Sequence, residues 1–288
     1  MKVAIIGCGF MGASVAAALR QRNLAASIVG YDHDPDACAR ALAAGLLDAT
    51  APTCAHAVRG ADLDVLAAPV RAMADLLAQV AGALEPAALV TDLGSTKTDV
   101  VAAARAALGP AFARFVAAHP IAGGERSGPE GADADLFEGC TVVITAARET
   151  AAAALASVEQ LWRACGARVA RMDAGDHDRL LASVSHLPHV LAFALVAHIA
   201  GEPDGQRKLS LAGPGFRDFT RIAASSPVMW SDIAVANRDA IGQELRALIA
   251  LLQRVDRAMA GGDASWLHQL FELASRTRRQ MNGGGDGP

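Results

Sequence analysis

Short apolar runs alternate with amphipathic stretches along residues 1–172. Residues 2–6 predict a strand that ends at glycines, and residues 11–22 a helix. Residues 27–31 read as the next strand and 35–44 as a helix closed by Gly45. A third strand covers 63–67, after which Pro69 opens a helix that reaches residue 84. A fourth strand (88–91) precedes a helix over 96–108. Residues 112–117, 141–145 and 168–172 read as further strands, with a helix over 150–165 before the last. Strands alternating with helices of this length predict βαβ units and a parallel sheet.

Beyond Asp173 the pattern becomes helical throughout, over 174–201, 216–224, 227–259 and 264–281. The fold expected is α/β: an N-terminal Rossmann-type doubly wound parallel sheet (1–172), followed by an all-α substrate and dimerisation domain (173–281). A chain of 288 residues has room for both. The glycine-rich end, 282–288, reads as a disordered tail. Few charges mark the helical pattern around 190–199, as expected of a surface buried against a twin subunit, so a homodimer is expected.

Composition narrows the function classes. Hydrophobic residues make up 52% of the chain. The most apolar run, 190–199, contains His198 and falls short of the ~20 residues a bilayer requires. No signal-peptide pattern opens the chain, so a cytoplasmic protein without a membrane partner is expected. A net charge of −4 argues against nucleic acid as a partner. The five cysteines are scattered without a CxxC pair, which suggests reduced thiols and no metal site.

The first loop carries a dinucleotide fingerprint. In "VAIIGCGFMG", Gly7, Gly9 and Gly12 have GxGxxG spacing between a strand and a helix. The first glycine permits a tight turn, the second a close approach to pyrophosphate, and the third close helix–strand packing. The phosphates would then meet the free N–H groups of a helix start. Asp32 ends the second strand ~20 residues further on, where an acid can accept hydrogen bonds from the ribose hydroxyls. It would repel a 2′-phosphate, so NAD is the expected cofactor. The bland alternative is turn chemistry, with Asp32 capping a helix. Gly7, Gly9, Phe10, Met11, Gly12, Asp32 and Pro69 form the expected cofactor set.

Three further segments hold candidate chemistry. His119, in "HPIAGGERSG", follows the fifth strand, and open α/β sheets bind ligands beyond such strand ends. A loop histidine would look the same. Ser95 in "DLGSTK" either orients a histidine or simply caps the next helix with Thr96, and Lys97 reads as an exposed first-turn lysine. His186 and His189 in "SHLPH" share a helical stripe with Ala182 and Phe193, and Pro188 bends that helix. No third ligand accompanies them, which argues against a metal. Arg217 and Arg221 lie among Phe216, Phe219 and Ile222, which look like core contacts. Either arginine suits a carboxylate or a surface ion pair. Trp230 lines a pocket or packs in a core.

Taken together, "IIGCGFMGASVA", "GYDHDP", "DLGSTK", "HPIAGGERSG", "HDRLLASVSHLPH" and "GPGFRDFTRIAASSPVMW" resemble the prephenate/arogenate dehydrogenase family of tyrosine biosynthesis. The resemblance implies a Rossmann domain and a helical dimerisation domain. It implies NAD-dependent oxidative decarboxylation of prephenate to 4-hydroxyphenylpyruvate, or the arogenate or dual-specificity version. By the same resemblance His119 is the catalytic histidine, Ser95 its support, and Arg221 the grip on the ring carboxylate. His186, His189, Glu125 and Trp230 then shape the substrate pocket. Too few residues follow Met281 for a regulatory module. Two alternatives stay open: a β-hydroxyacid dehydrogenase or pyrroline-carboxylate reductase type, and an NAD sensor without turnover. The hydroxyacid enzymes use a helix-borne lysine, whereas Lys208 reads as a loop residue here.

Overall fold

A computed structural model describes residues 1–123 and 128–283. The chain divides into two compact units, Met1–Arg238 and Asp239–Pro288.

In the first unit, six strands form one parallel sheet: β1 (Lys2–Ile6), β2 (Ser27–Tyr31), β3 (Ala49–Thr50), β4 (Leu63–Leu66), β5 (Leu89–Asp92) and β6 (Phe115–Val116). Their order is β3-β2-β1-β4-β5-β6, the doubly wound arrangement with β1 beside both β2 and β4. The helices α1 (Phe10–Gln21), α2 (Pro35–Ala43), α3 (Cys54–Ala57), α4 (Met73–Ala81) and α5 (Thr98–Leu108) connect these strands. β1 and β4 are buried along almost their whole length, as strands covered on both faces must be. The α2 helix starts where Asp34 accepts a hydrogen bond from the Asp36 N–H at 3.0 Å, with Pro35 in the first turn.

The last strands of the α/β segment depart from the sequence pattern. The segment read as one strand over 112–117 splits into a 3₁₀ turn (Gly109–Arg114), the two-residue β6, and β7 (Ala118–Ile121). β7 leaves the parallel sheet and pairs antiparallel with β8 (Thr141–Ile144), which pairs parallel with β9 (Arg168–Arg171). The last three strands therefore build a second sheet, with α6 (Ala152–Ala164) between β8 and β9 in sequence. His119 accordingly lies on a strand, opposite Val143, and not in a loop. Alternation alone does not say which sheet a strand joins.

The helical stretch expected over 174–201 is three elements: α7 (Ala174–Leu181), a π turn (Ala182–His186) and α8 (Leu187–Ala200). Pro188, in the first turn of α8, has no N–H to donate backwards, and the widened turn before it absorbs the defect. Read as one run, Ala174–Ala200 is long and apolar enough to cross a membrane, which corrects the expectation that no segment qualifies. Averaged over a longer window, the apolar residues outweigh the histidines that interrupt them. Within this unit, however, Asp178 ties the run to the start of α5 by two hydrogen bonds. The short helices α9 (Gly205–Ser210) and α10 (Pro214–Thr220) follow, then α11 (Pro227–Ala236), capped by Ser226, whose hydroxyl accepts from the Met229 N–H.

The second unit holds most of α12 (Arg238–Ala260) and α13 (Ala264–Gly283). Gly262, with φ +68°, makes the turn between them, and the Asp263 carboxylate accepts from the Trp266 N–H at 3.0 Å. Arg254 stacks on the Trp266 ring. Met259, Phe271 and Leu273 are exposed in this unit.

Candidate active site

The glycine loop connects β1 to α1 with backbone alone. Gly7 takes φ +105°, and a Cβ there would lie 2.4 Å from the Ala67 carbonyl oxygen. A Cβ on Gly12 would lie 1.9 Å from the Gly7 carbonyl oxygen, so helix and strand meet at van der Waals limits. Around Gly9, by contrast, a Cβ would meet nothing within 4 Å. Gly9 precedes α1 with no side-chain cap, so no capping side chain takes up the free N–H groups of the first turn. Phe10 and Met11 open the helix and are half-buried. Asp32 closes β2's edge of the same cleft. Its carboxylate accepts from the Cys8 N–H at 2.7 Å and the Asp34 N–H at 2.9 Å. Asp34, not Asp32, caps α2, so the capping alternative for Asp32 falls. Pro69 is exposed just beyond β4 and precedes a 3₁₀ turn, Val70–Ala72. An uncapped helix start, glycines that a side chain would obstruct, and an acid at the next strand end together fit a dinucleotide.

A second group of residues gathers at the end of β5, the start of α5 and the start of β7. Asp92, the last residue of β5, and Lys97 are both wholly buried and form an ion pair. Lys97 Nζ also donates to the Ala118 carbonyl at 2.9 Å. This overturns the expectation of an exposed lysine: the side chain turns inward to the carboxylate five residues before it. The α5 cap is a correction too. No side chain near Ser95 caps the helix; the Lys97 and Thr98 N–H groups each donate to the Asp178 carboxylate at 2.8 Å. Thr96 instead donates to Asp99 at 2.9 Å. Ser95 is half-buried, and among the described residues no hydrogen bond joins it to His119.

His119 Nδ1 lies 2.9 Å from His177 Nε2, and His177 Nδ1 lies 2.8 Å from Asp178 Oδ1. Among the described residues, nothing is hydrogen-bonded to His119 Nε2. Burial, then the Lys97 ammonium and the neighbouring His177 and His186, holds the His119 imidazole well below its ordinary pKa, so it is neutral at pH 7. An ordinary loop histidine would be solvated and unpartnered; this one is half-buried on a strand, at the end of a chain of hydrogen bonds, so that alternative falls.

His186 is buried, and its Nδ1 accepts from Asn237 Nδ2 at 3.0 Å, while Asn237 also donates to the Asp178 carbonyl at 2.7 Å. Burial, chiefly, lowers the His186 pKa to about 4. Its Nε2 has no partner among the described residues, and neither has the buried Nε1 of Trp230. The His189 ring stacks on Trp230 at 3.5 Å, and His186 meets the same indole edge-on at 6.1 Å. Two neighbouring buried rings thus each carry a polar atom without a partner, which a polar ligand could complete. Arg221 is exposed, in a 3₁₀ turn (Arg221–Ala224); burial lowers the His189 pKa, and the Arg221 charge adds to that. Phe219 is half exposed, which corrects its reading as a core contact, and Arg217 is exposed too. Lys208, expected in a loop, lies on α9 and pairs with Glu202 and Asp204 at the surface. Glu125 and residues 284–288 lie outside the described residues, while residues 282–283, expected in the tail, continue α13.

Sequence reasoning thus missed Asp92, His177, Asp178 and Asn237. The signal in the sequence was a His-Asp pair at the start of an apolar helix pattern, where a charged residue needs a buried partner.

Comparison with known proteins agrees with this geometry. A family model for the nucleotide-binding domain of prephenate dehydrogenase matches residues 15–171, and one for its dimerization domain matches 173–273. Cyclohexadienyl dehydrogenase of Zymomonas mobilis is 35% identical over 96% of this chain and 94% of its own. The crystal structure of Aquifex aeolicus prephenate dehydrogenase with hydroxyphenyl propionate and NAD+ matches with a TM-score of 0.91. It is 32% identical, with 98% of each chain covered. Synechocystis arogenate dehydrogenase matches with a TM-score of 0.81 at 27% identity, covering 98% of this chain and 100% of that one. The chain belongs to the prephenate dehydrogenase family of NAD-dependent oxidoreductases.

Proposed function

We propose that the protein oxidises prephenate to 4-hydroxyphenylpyruvate with loss of CO₂, using NAD and His119 as general base. The observation that carries this reading is the neutral His119 ring with an unbonded Nε2, within electrostatic reach of His186, together with the orphaned His186 and Trp230 nitrogens. Prephenate has a 4-hydroxyl and a ring carboxylate on a cyclohexadiene. Bound NAD supplies the acceptor for the hydride from C4. His119 Nε2 takes the hydroxyl proton as the O–H electron pair becomes the C4 carbonyl bond. The pair of the bond to the ring carboxylate then enters the ring, CO₂ leaves, and the resulting phenolate recovers a proton. General-base assistance of this kind contributes roughly 10²- to 10⁴-fold.

Arg221 grips the ring carboxylate in this reading, and His186, His189 and Trp230 wall the ring. Ser95 supports the base, and Glu125 meets the substrate side chain. The domain division at 172/173 and a homodimer through the helical segment belong to the same proposal, as does a cytoplasmic location. The 35% identity with a cyclohexadienyl dehydrogenase supports a second reading, in which arogenate is also accepted.

NADH absorbance with prephenate and with arogenate tests both readings. Turnover with prephenate is expected, and no turnover with either substrate overturns the proposal. His119→Ala is expected to lower kcat by roughly 10²- to 10⁴-fold while NAD affinity holds, and Arg221→Ala to raise KM first. Because His119 is held well below 6.5, the acid limb of kcat/KM is expected below pH 6.5. Activity that fell away with a midpoint at or above 6.5 would contradict a base of that kind.

A further inference from the structure

The hydrogen bonds behind His119 dictate where its proton is. Asp178 accepts from two backbone N–H groups at the start of α5. Burial pushes its pKa up, but the bonds from His177, Thr98 and Lys97 outweigh burial and hold it at about 2, so it is a carboxylate. A carboxylate only accepts, so His177 must present an N–H at Nδ1, 2.8 Å away. A neutral imidazole with its hydrogen on Nδ1 is an acceptor at Nε2. His119 Nδ1, 2.9 Å from that atom, must then be the donor. The hydrogen of the neutral His119 ring is thereby committed to Nδ1, and Nε2 keeps its lone pair.

We propose that Asp178 and His177 are positioning residues which fix His119 in the tautomer whose free Nε2 can accept the substrate proton. The proposal rests on the reading of His119 as the general base. His177 is wholly buried and has no contact with the cleft to offer of its own, whereas both of its ring nitrogens are bonded in line. The opposite tautomer chain would require Asp178 to donate, which an ionised carboxylate has no hydrogen to do. When His119 takes up a proton it still donates from Nδ1 to His177, so no hydrogen bond has to reverse during the reaction. The ring also keeps its orientation: the two imidazoles meet edge to face, with centroids 5.1 Å apart. The pair does for His119 what a buried acid does for the histidine of a hydrolase triad, with one ring interposed.

The test has two parts. In wild-type protein labelled with ¹⁵N-histidine, NMR at neutral pH is expected to show His119 protonated at Nδ1 and bare at Nε2. This measurement needs no substrate and no variant, so it stands apart from the question of prephenate turnover. A protonated Nε2 overturns the proposal. Second, His177→Leu is expected to lower kcat on the order of 10- to 100-fold, as loss of an orienting partner does elsewhere, with KM changed less than about threefold. His177→Gln, whose amide oxygen can accept from His119 Nδ1, is expected to recover much of that loss. A Leu variant that folds and keeps kcat within about twofold of wild type overturns the proposal, as does a Gln variant no better than Leu. If neither variant folds, the wild-type NMR result decides.

Discussion

Two carboxylates on adjacent strands of the same sheet are equally buried and oppositely treated. Asp92 ends β5, where the cleft lies, and both of its oxygens are bonded: one to the Ala118 N–H at 3.2 Å, the other to the Gly94 N–H at 2.8 Å and to Lys97. Asp64 lies near the start of β4, toward the other end of the sheet, and neither oxygen has a partner among the described residues. Burial, with the Glu85 charge behind it, pushes the Asp64 pKa up to about 8, so this group is a neutral acid at pH 7. Asp92 is raised by burial as well, but Lys97 and two backbone donors pull against that. The contrast separates two uses of a buried acid. At the cleft, charge is kept inside by a complete set of partners, which link β5, β7 and the α5 start. At the opposite end, the protein tolerates the acid by leaving its proton on.

Removing a partner at the cleft end should have the larger effect. Lys97→Met leaves Asp92 buried without its cation, a change that typically costs about 3–5 kcal/mol. A fall in Tm on the order of 10 °C is expected at that cost, since about 1 kcal/mol moves a domain of this size by ~2–4 °C. Adding Asp92→Asn to Lys97→Met should restore part of the loss, because the amide oxygen still accepts one backbone N–H. Thermal unfolding of the single and double variants checks this. A single variant within about 1 kcal/mol of wild type would mean that the pair is not the joint described.

The same contrast explains what could be read before the structure. The glycine loop was legible because its constraint is local: Gly7, Gly9 and Gly12 act through backbone atoms of their own turn, and Asp32 ends the adjacent strand. Even the inward turn of Lys97 had a local partner, Asp92, yet a charged residue after a helix cap reads as solvated unless the fold above it is known. The His177-Asp178 pair at the head of an apolar helix pattern signals a need for buried partners, but not that His119 is one of them. His177 and Asp178 meet Lys97, Thr98 and His119 across 58 to 81 residues of sequence, and a lone sequence carries no record of such pairings. The π turn before Pro188 had a sign, the proline, but no sign of its width. The departure of β7 into a second sheet had none, because the apolar run 115–118 is continuous through the point where the strand changes partners.

Asp64→Asn should have the smaller effect, and with the opposite sign. Below pH 4 the carboxyl is protonated in both folded and unfolded chains, so the substitution changes little there. As pH rises, the unfolded chain releases the proton near its ordinary value of ~3.9 while the folded protein holds it to about 8. The wild type therefore loses stability across that window, and nothing further above pH 8. Asparagine does not titrate, so its advantage should grow from near zero at pH 4 to a maximum at pH 8. Linkage sets the scale at about 1.4 kcal/mol per pH unit while the two states differ by a full proton; local relaxation around a charged Asp64 reduces the sum to an expected gain on the order of 2 kcal/mol. Denaturant unfolding of both proteins at a series of pH values measures the difference directly. A variant whose stability relative to wild type is flat with pH would show that Asp64 does have a partner for its charge, and the two ends of the sheet would then be alike.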